Sequence, residues 1–389
     1  MNESKNFKFF LRYHLNLHSL QKYFPRKNFS KKLFFPAFSM SVYFSEKKEV
    51  QKFINSLKEF RSFIFTKENN FLALLGDLNV FSQLADTLLD YPSVKKRLKK
   101  LIVNYHKVES YKYEIGPRIF DGNHKYVMGI LNVTDDSFFD GGKYSNHKKA
   151  FQRIKEMLEI GVDIIDIGGE STRPGSTRIS ASEELRRVLP SVEFALNAGA
   201  IVSVDTYKSE VAEECLKLGA HIINDISGFK FDENIPIKCK EYNSAVVLMH
   251  IRGTPETMQV NPYYDDPVQE IISELDTQLK LANKVALKKI FIDPGIGFGK
   301  RLKDNYEILQ RIEELKFLGY PVLIGLSRKS LIGKLLDIPV EERLTGTIAT
   351  NAVSLLKGVN VIRVHDVKEA IQVKKIIEAI ENPESINNV

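Results

Sequence analysis

Cysteine is scarce in this 389-residue chain: Cys215 and Cys239 are the only two, and both stand in helix-like segments. Two thiols so placed exclude a disulfide framework and point to a reducing compartment. No apolar run approaches the length needed to cross a bilayer. Nor does an unbroken apolar core open the chain, because Lys8, Arg12, His14 and His18 interrupt every candidate run, which argues against a secretory signal. The reading is a cytoplasmic protein that does not engage a membrane. Cysteine and histidine form no zinc constellation, and no Ser-His-Asp set can be assembled, since His250 and Ser327 have no reason in the sequence to touch. Residues 1–110 carry no P-loop or other phosphate signature.

Acidic residues are also scarce at the front, where Glu3 is the only one before Glu46. Residues 1–121 hold 22 Lys+Arg against 11 Asp+Glu, whereas the remainder is slightly acidic, and 15 of the 25 phenylalanines fall within residues 1–81. Two independent departures in composition mark a separate domain over residues 1–110. Its basic start mimics an organellar transit peptide, but Phe24-Pro25 and Phe35-Pro36 favour folded, extended segments. Helical spacing covers 46–60, strands are expected at 61–66 and 71–75 with a turn between them, and helices at 79–90 and 93–105. The run KKRLKKL at 95–101 lacks an accompanying base-reading module, so it reads as a solvated helix face rather than a nucleic-acid site.

From residue 109 the pattern changes to a repeating unit of strand, polar loop and helix. Residues 111–115 and 118–121 predict a hairpin that closes a barrel floor. Eight apolar runs follow, at 126–131, 162–167, 201–204, 221–223, 245–249, 290–292, 322–326 and 359–362. Amphipathic segments separate them, among them 150–160, 183–196, 209–218, 268–285, 305–315 and 367–380. This alternation predicts an α/β fold, a (β/α)8 TIM barrel over residues 111–385, preceded by a small α/β or α+β domain.

Each apolar run ends on a hydrogen-bonding residue: Asn132, Asp166, Asp205, Asn224, His250, Asp293, Ser327 and Arg363, with Thr172, Arg173, Lys329 and His365 just beyond. Any one of them is explained by capping a helix. Twelve on one rim are not, and in a closed barrel they converge on the face where such enzymes place their sites. Asp205, Asn224, Asp293 and Lys329 suit the donor and acceptor edge of a flat heterocycle, and Asp293 can accept two N–H bonds from an aminopyrimidinone. Thr172, Arg173, Arg363 and His365, with the glycine-rich backbone beside them, form an anion-binding group. Asn132 offers one amide oxygen to a hard metal, which implies a Mg²⁺ held mainly by water and phosphate.

The motifs MGILNVTDDSFFDGG (128–142), DIGGESTRPG (166–175), SVDTYK (203–208), IINDISG (222–228), LMHIRGTP (248–255), DPGIGFGK (293–300), GLSRKS (325–330) and IRVHDV (362–367) resemble the dihydropteroate synthases, in that family's order. The resemblance implies a (β/α)8 barrel that joins 6-hydroxymethyl-7,8-dihydropterin diphosphate to 4-aminobenzoate in folate synthesis and releases diphosphate. It implies that Asp205, Asn224, Asp293 and Lys329 hold the pterin, that Thr172, Arg363 and His365 contact the diphosphate, and that Asn132 binds Mg²⁺. Phe138, Arg173, Pro174 and Ser327 then help form the aminobenzoate pocket, where sulfonamides compete, and Arg363, His365 and Lys329 are the catalytic candidates. It further implies a homodimer through barrel helices near strands 7 and 8. The chain departs from the family at Asp135, where Pro is usual, and at Phe139, where a small polar residue is common. Loss of Pro adds conformational freedom to that loop. A related pterin-binding barrel that moves a methyl group from methyltetrahydrofolate to a corrinoid would share the heterocycle pocket without needing the Thr172/Arg173 and Ser327/Lys329 arrangement.

Overall fold

The structure, a computed structural model, describes residues 7–14, 37–44, 47–56, 64–68, 71–134, 143–171 and 178–384. It divides into two units, Met1–Lys107 with Gln310–Gly319, and Val108–Leu309 with Tyr320–Val389.

In the first unit the chain runs β1 (Phe7–His14), β2 (Ala37–Phe44), α1 (Lys47–Ser56), β3 (Ile64–Glu68), β4 (Phe71–Gly76), α2 (Leu78–Thr87) and α3 (Pro92–Lys107). The strands form one antiparallel sheet in the order β1-β2-β4-β3, so this unit takes the α+β form. Alternate residues of β2 and β4, Phe38, Met40 and Val42 with Leu72 and Leu74, face a core completed by Phe53, Phe81 and the helical stripe Val94, Leu98 and Ile102. Phe317, distant in sequence, belongs to the same core, and the Phe317 carbonyl accepts a 2.9 Å bond from Asn104 Nδ2. The amphipathic helix expected over 305–315 is therefore divided in two. An α-helix ends at Gln310, and a 3-10 helix, Ile312–Leu318, belongs to the first unit and places Phe317 in its core. Only extended segments were expected before residue 45. Lys8 and Arg12 interrupt the alternation in β1 at the level of sequence, although β1 pairs with β2 along its whole length.

The second unit opens with the expected hairpin, β5 (Lys112–Ile115) and β6 (Arg118–Asp121). Then follow β7 (Tyr126–Asn132), α4 (Lys143–Ile160), β8 (Ile164–Gly168), α5 (Ala181–Asn197), β9 (Val202–Asp205), α6 (Ser209–Leu218), β10 (Ile222–Asp225) and α7 (Ile235–Glu241). The series finishes with β11 (Ala245–Met249), α8 (Pro267–Lys284), β12 (Ile290–Asp293), α9 (Leu302–Gln310), β13 (Leu323–Gly325), α10 (Ser330–Leu336), α11 (Leu344–Leu356), β14 (Val361–Val364) and α12 (Val367–Glu381). β7 to β14 are parallel in the order β12-β11-β10-β9-β8-β7-β14-β13. A bridge between Ile292 and Val322, with Ile292 N–H donating to Pro321 O at 2.9 Å, closes the ring. The fold is a (β/α)8 barrel, with every strand within two residues of its expected position.

Register decides where the strand ends meet. Asn132 pairs with Gly168, Gly168 with Asp205, and Asp205 with Asn224, so four consecutive strands finish on one rung. Met249 pairs with Asp293 and Gly325 with Arg363 on the other side of the ring. At the opposite end, Tyr111, Ile115 and Phe120 pack on the first residues of the strands, Tyr126, Ile164, Ile222, Ala245, Leu323 and Val361. The hairpin is the barrel floor.

Candidate active site

The rung at the carboxyl ends of the strands is organised around one guanidinium. Arg363, from β14, donates Nε to Asp166 Oδ2 and a terminal nitrogen to Asp205 Oδ2, each at 2.6 Å. Asn224 Nδ2 donates to the same Asp166 oxygen at 3.0 Å. β8, β9, β10 and β14 thus contribute one member each to a single network. Burial raises the Asp205 carboxyl to about 7 despite the opposing pull of Arg363, and neighbouring Asp166 adds to the rise. Gly168 leaves room beside this group: a Cβ there would stand 3.4 Å from Asp205 Cβ and 3.6 Å from Asn132 Oδ1.

A second cluster comes from β12 and the turn after β13. Asp293 is buried and accepts the Gly295 N–H at 2.6 Å, while Lys329 Nζ donates to Ile296 O at 2.5 Å and lies 5.0 Å from the centre of the Phe298 ring. Burial lowers Lys329 to about 8, opposed by the attraction of Asp293, and burial likewise raises Asp293 against the pull of Lys329. Asp293 ends β12 and Arg363 lies near the carboxyl end of β14 in one ring of parallel strands, so the two clusters open on the same end of the barrel. Ser327 Oγ accepts the His365 N–H at 3.2 Å and lies 3.2 Å from His365 Nδ1, joining the ends of β13 and β14.

The structure therefore brings Asp205, Asn224, Asp293, Lys329 and Arg363 into one charged bowl, with Asn132 beside Asp205 and the Ser327–His365 pair at the rim of β13 and β14. Thr172, Arg173, Pro174 and Phe138, like Asp135 and Phe139, lie outside the described residues. After β8, Glu170 accepts from Tyr207 Oη and Lys208 Nζ, and Lys208 also reaches Glu184 at 2.5 Å.

Asp166 stood among the strand-end residues but received no role from sequence; the structure makes it the carboxylate shared by Arg363 and Asn224. Lys300 and its partner His250 also gained no role, although both fell within motifs. The only advance signal was chemical, a lysine closing a run of glycines.

Among the described residues no three His, Cys, Asp or Glu side chains gather as a metal centre. Among the described residues, Asp205, the carboxylate beside Asn132, is engaged by Arg363, so what these residues offer a divalent ion there is one amide oxygen. One neutral oxygen fits a hydrated divalent ion such as Mg²⁺ that arrives with a phosphate-bearing substrate.

Residues 128–365 match the pterin binding enzyme family. The dihydropteroate synthase of Bacillus subtilis is 46% identical over 265 residues, covering 67% of this chain and 90% of that protein. The chain belongs to the dihydropteroate synthase family. Dihydropteroate synthase from Escherichia coli strain K12 is similarly related, at 44% identity over 262 residues, 67% of this chain and 93% of that one. Among solved structures, the Yersinia pestis dihydropteroate synthase in complex with a sulfonamide drug aligns at a TM-score of 0.66 and 40% identity, covering 70% of this chain and 99% of that chain. The dihydropteroate synthase of Xanthomonas albilineans with 4-aminobenzoic acid aligns at the same TM-score and 36% identity, with the same coverage. The barrel strand ends from Asn132 to Arg363 all fall within the matched residues 128–365. No helix among the described residues is long and apolar enough to cross a membrane.

Proposed function

We propose that the barrel condenses 6-hydroxymethyl-7,8-dihydropterin diphosphate with 4-aminobenzoate to give 7,8-dihydropteroate and diphosphate, with the pterin gripped by Asp205, Asn224, Asp293 and Lys329. The observation that carries this reading is the meeting of Asp293, Lys329, Arg363, Asp166, Asp205 and Asn224 at one end of a closed barrel. Two recessed carboxylates and a buried amide suit the N–H and carbonyl edge of a flat ring, and a lysine beside Asp293 supplies the matching donor. Thr172, Arg363 and His365 serve the diphosphate, and Phe138, Arg173, Pro174 and Ser327 the aminobenzoate.

The reaction needs no protein nucleophile. Cleavage of the carbon–oxygen bond runs ahead of attack because the electron-rich pterin spreads the positive charge left on its methylene carbon. Arg363, whose second terminal nitrogen remains beyond its two carboxylate bonds, and His365 stabilise the charge gathering on the leaving oxygens. The arylamine is neutral at pH 7, so the chain has only to hold it in line. Asn132 would hold Mg²⁺ through its amide oxygen, and the ion supplies charge neutralisation to the leaving diphosphate.

A homodimer through the helices after strands 7 and 8 belongs to the same proposal. Leu335 and Leu336 of α10, Val353 and Leu356 of α11, and Ile376 and Ile380 of α12 are all exposed, an apolar surface of the kind a second copy covers. Sedimentation at micromolar concentration tests it, with a monomer as the contrary result.

The deciding assay for the reaction uses the full chain with the pterin diphosphate, with and without 4-aminobenzoate. Diphosphate release that depends on aminobenzoate is expected. Its absence removes the reading.

A further inference from the structure

The loop that follows β12, residues 294–300, serves both acidic and basic members of the second cluster. Its Gly295 N–H is the donor to Asp293, and its Ile296 carbonyl is the acceptor for Lys329. Gly295, Gly297 and Gly299 all have positive φ, a conformation that needs glycine, and a Cβ at 295 would stand 1.9 Å from the His250 carbonyl oxygen. The loop thus lies directly on the chain leaving β11, with no space to be held there by side chains of its own glycines. Gln259 Nε2 and Asn305 Oδ1 fasten it at Gly297 and Tyr264 Oη fastens it at Gly299, and the side-chain tie between the loop and His250 is made by Lys300. This side chain is 4% exposed, and its Nζ lies 2.8 Å from the Phe298 carbonyl oxygen and 3.0 Å from His250 Nδ1.

The partners of Lys300 are two carbonyls, of Phe298 and at 3.5 Å of His250, and an imidazole rather than a carboxylate, which is unusual for a lysine so deeply placed. His250 is itself buried, and burial with the neighbouring Lys300 holds its imidazole down to about 3, so the ring is neutral and its Nδ1 accepts. Its Nε2 faces Glu274 Oε2 at 3.2 Å, near enough for attraction although poorly angled for a hydrogen bond. Burial also drives Lys300 well below the ordinary lysine range. A methionine would fill the same volume without the desolvation cost, so the amine is explained by what it bonds.

We infer that Lys300 is a positioning residue of the pterin subsite: by tying the Phe298 carbonyl to His250 it fixes the loop that presents the Gly295 N–H to Asp293 and the Ile296 carbonyl to Lys329. The inference rests on the reading of Asp293 and Lys329 as the groups that grip the pterin. Lys300 itself touches no substrate, and its effect passes entirely through those two residues.

The test compares the full chain with Lys300→Met, using 6-hydroxymethyl-7,8-dihydropterin without its diphosphate as the probe in calorimetry, alongside steady-state kinetics. Binding of the probe is expected to weaken about tenfold or more, as for loss of one well-made buried bond. KM for the pterin diphosphate should rise in step, while KM for 4-aminobenzoate at saturating pterin diphosphate stays within about twofold. Unchanged probe affinity, or equal losses for both substrates, overturns the inference, because a merely structural role would not single out the pterin. If the methionine variant does not fold, Lys300→Gln carries the same comparison, and failure of both to fold also overturns it by making Lys300 a core residue. A wild-type chain that binds no pterin would instead refute the subsite reading before any variant is compared.

Discussion

The eight strands of the barrel have two ends with opposite chemistry. At the floor, Tyr111, Ile115 and Phe120 close over strand-starting residues that are almost all apolar, and the Phe120 ring packs at a tilt against Tyr126 with ring centroids 4.6 Å apart. At the mouth, only two to six residues further along the same strands, one guanidinium holds two carboxylates and a second basic group lies beside Asp293. The floor gains stability from area removed from water, and the mouth spends some of it to keep charges recessed. Stability and chemistry are thereby separable, and substitutions at the two ends should register on different measurements.

The largest effect is expected at the floor. Phe120→Ala should cost about 3–5 kcal/mol of unfolding free energy, the range for removing a buried Phe, while kinetic constants of the folded enzyme stay near wild type. Chemical denaturation combined with kinetics checks it, and a large loss of turnover at unchanged stability would break the division. Next comes Arg363→Lys, which keeps the charge but loses the fork that spans Asp166 and Asp205. It should lower kcat/KM by about 10²–10³-fold, the magnitude of losing one oriented electrostatic donor, with little change in melting temperature. Alanine at 363 is the poorer choice, since it strands two recessed carboxylates and confounds rate with stability. Asp293→Asn is smaller again: an amide oxygen accepts less strongly than a carboxylate and its NH2 opposes the Gly295 N–H, so pterin affinity by calorimetry should fall about 10–100-fold. Equal affinity would detach Asp293 from the pterin.

The contrast between the two ends also explains what could be read from sequence. Parallel strands covered on both faces appear as short continuous apolar runs, so a single polar residue closing each run, such as Asn132 or Asp293, marks the mouth without any structure. The role of Asp166 was hidden because its partner, Arg363, is 197 residues away and no local pattern joins them. Lys300 was hidden for another reason: a lysine after glycines reads as solvent-exposed, and only the closeness of His250 shows it to be interior. In the first unit, α3 was legible from the spacing of Val94, Leu98 and Ile102, whereas β1 was not, with Lys8 and Arg12 breaking its alternation. Nothing local assigned Phe317 to that unit's core, because an apolar stripe states that a face is covered but not by which part of the chain. α11 escaped because its sequence, LTGTIATNAVSLL, contains no charged residue to define an outer face.

The smallest effect bears most directly on whether the mouth carries a cost. Asp205 titrates at about 7 in the folded chain against an ordinary value of 3.8, because burial outweighs the attraction of Arg363. Between those two values the folded state holds the proton more tightly than the unfolded chain does, so this residue's contribution to stability falls as pH rises from about 4 to about 7 and is flat above it. Asn cannot titrate. The melting temperature of Asp205→Asn relative to wild type should therefore climb by a few degrees between pH 4 and pH 8, whatever its offset at pH 4, while activity declines at every pH. Taking the difference between variant and wild type removes the titration of all other groups to first order. A difference that falls with rising pH would mean that Arg363 outweighs burial, making the Asp205 carboxylate a net source of stability; the mouth would then resemble the floor in what it contributes.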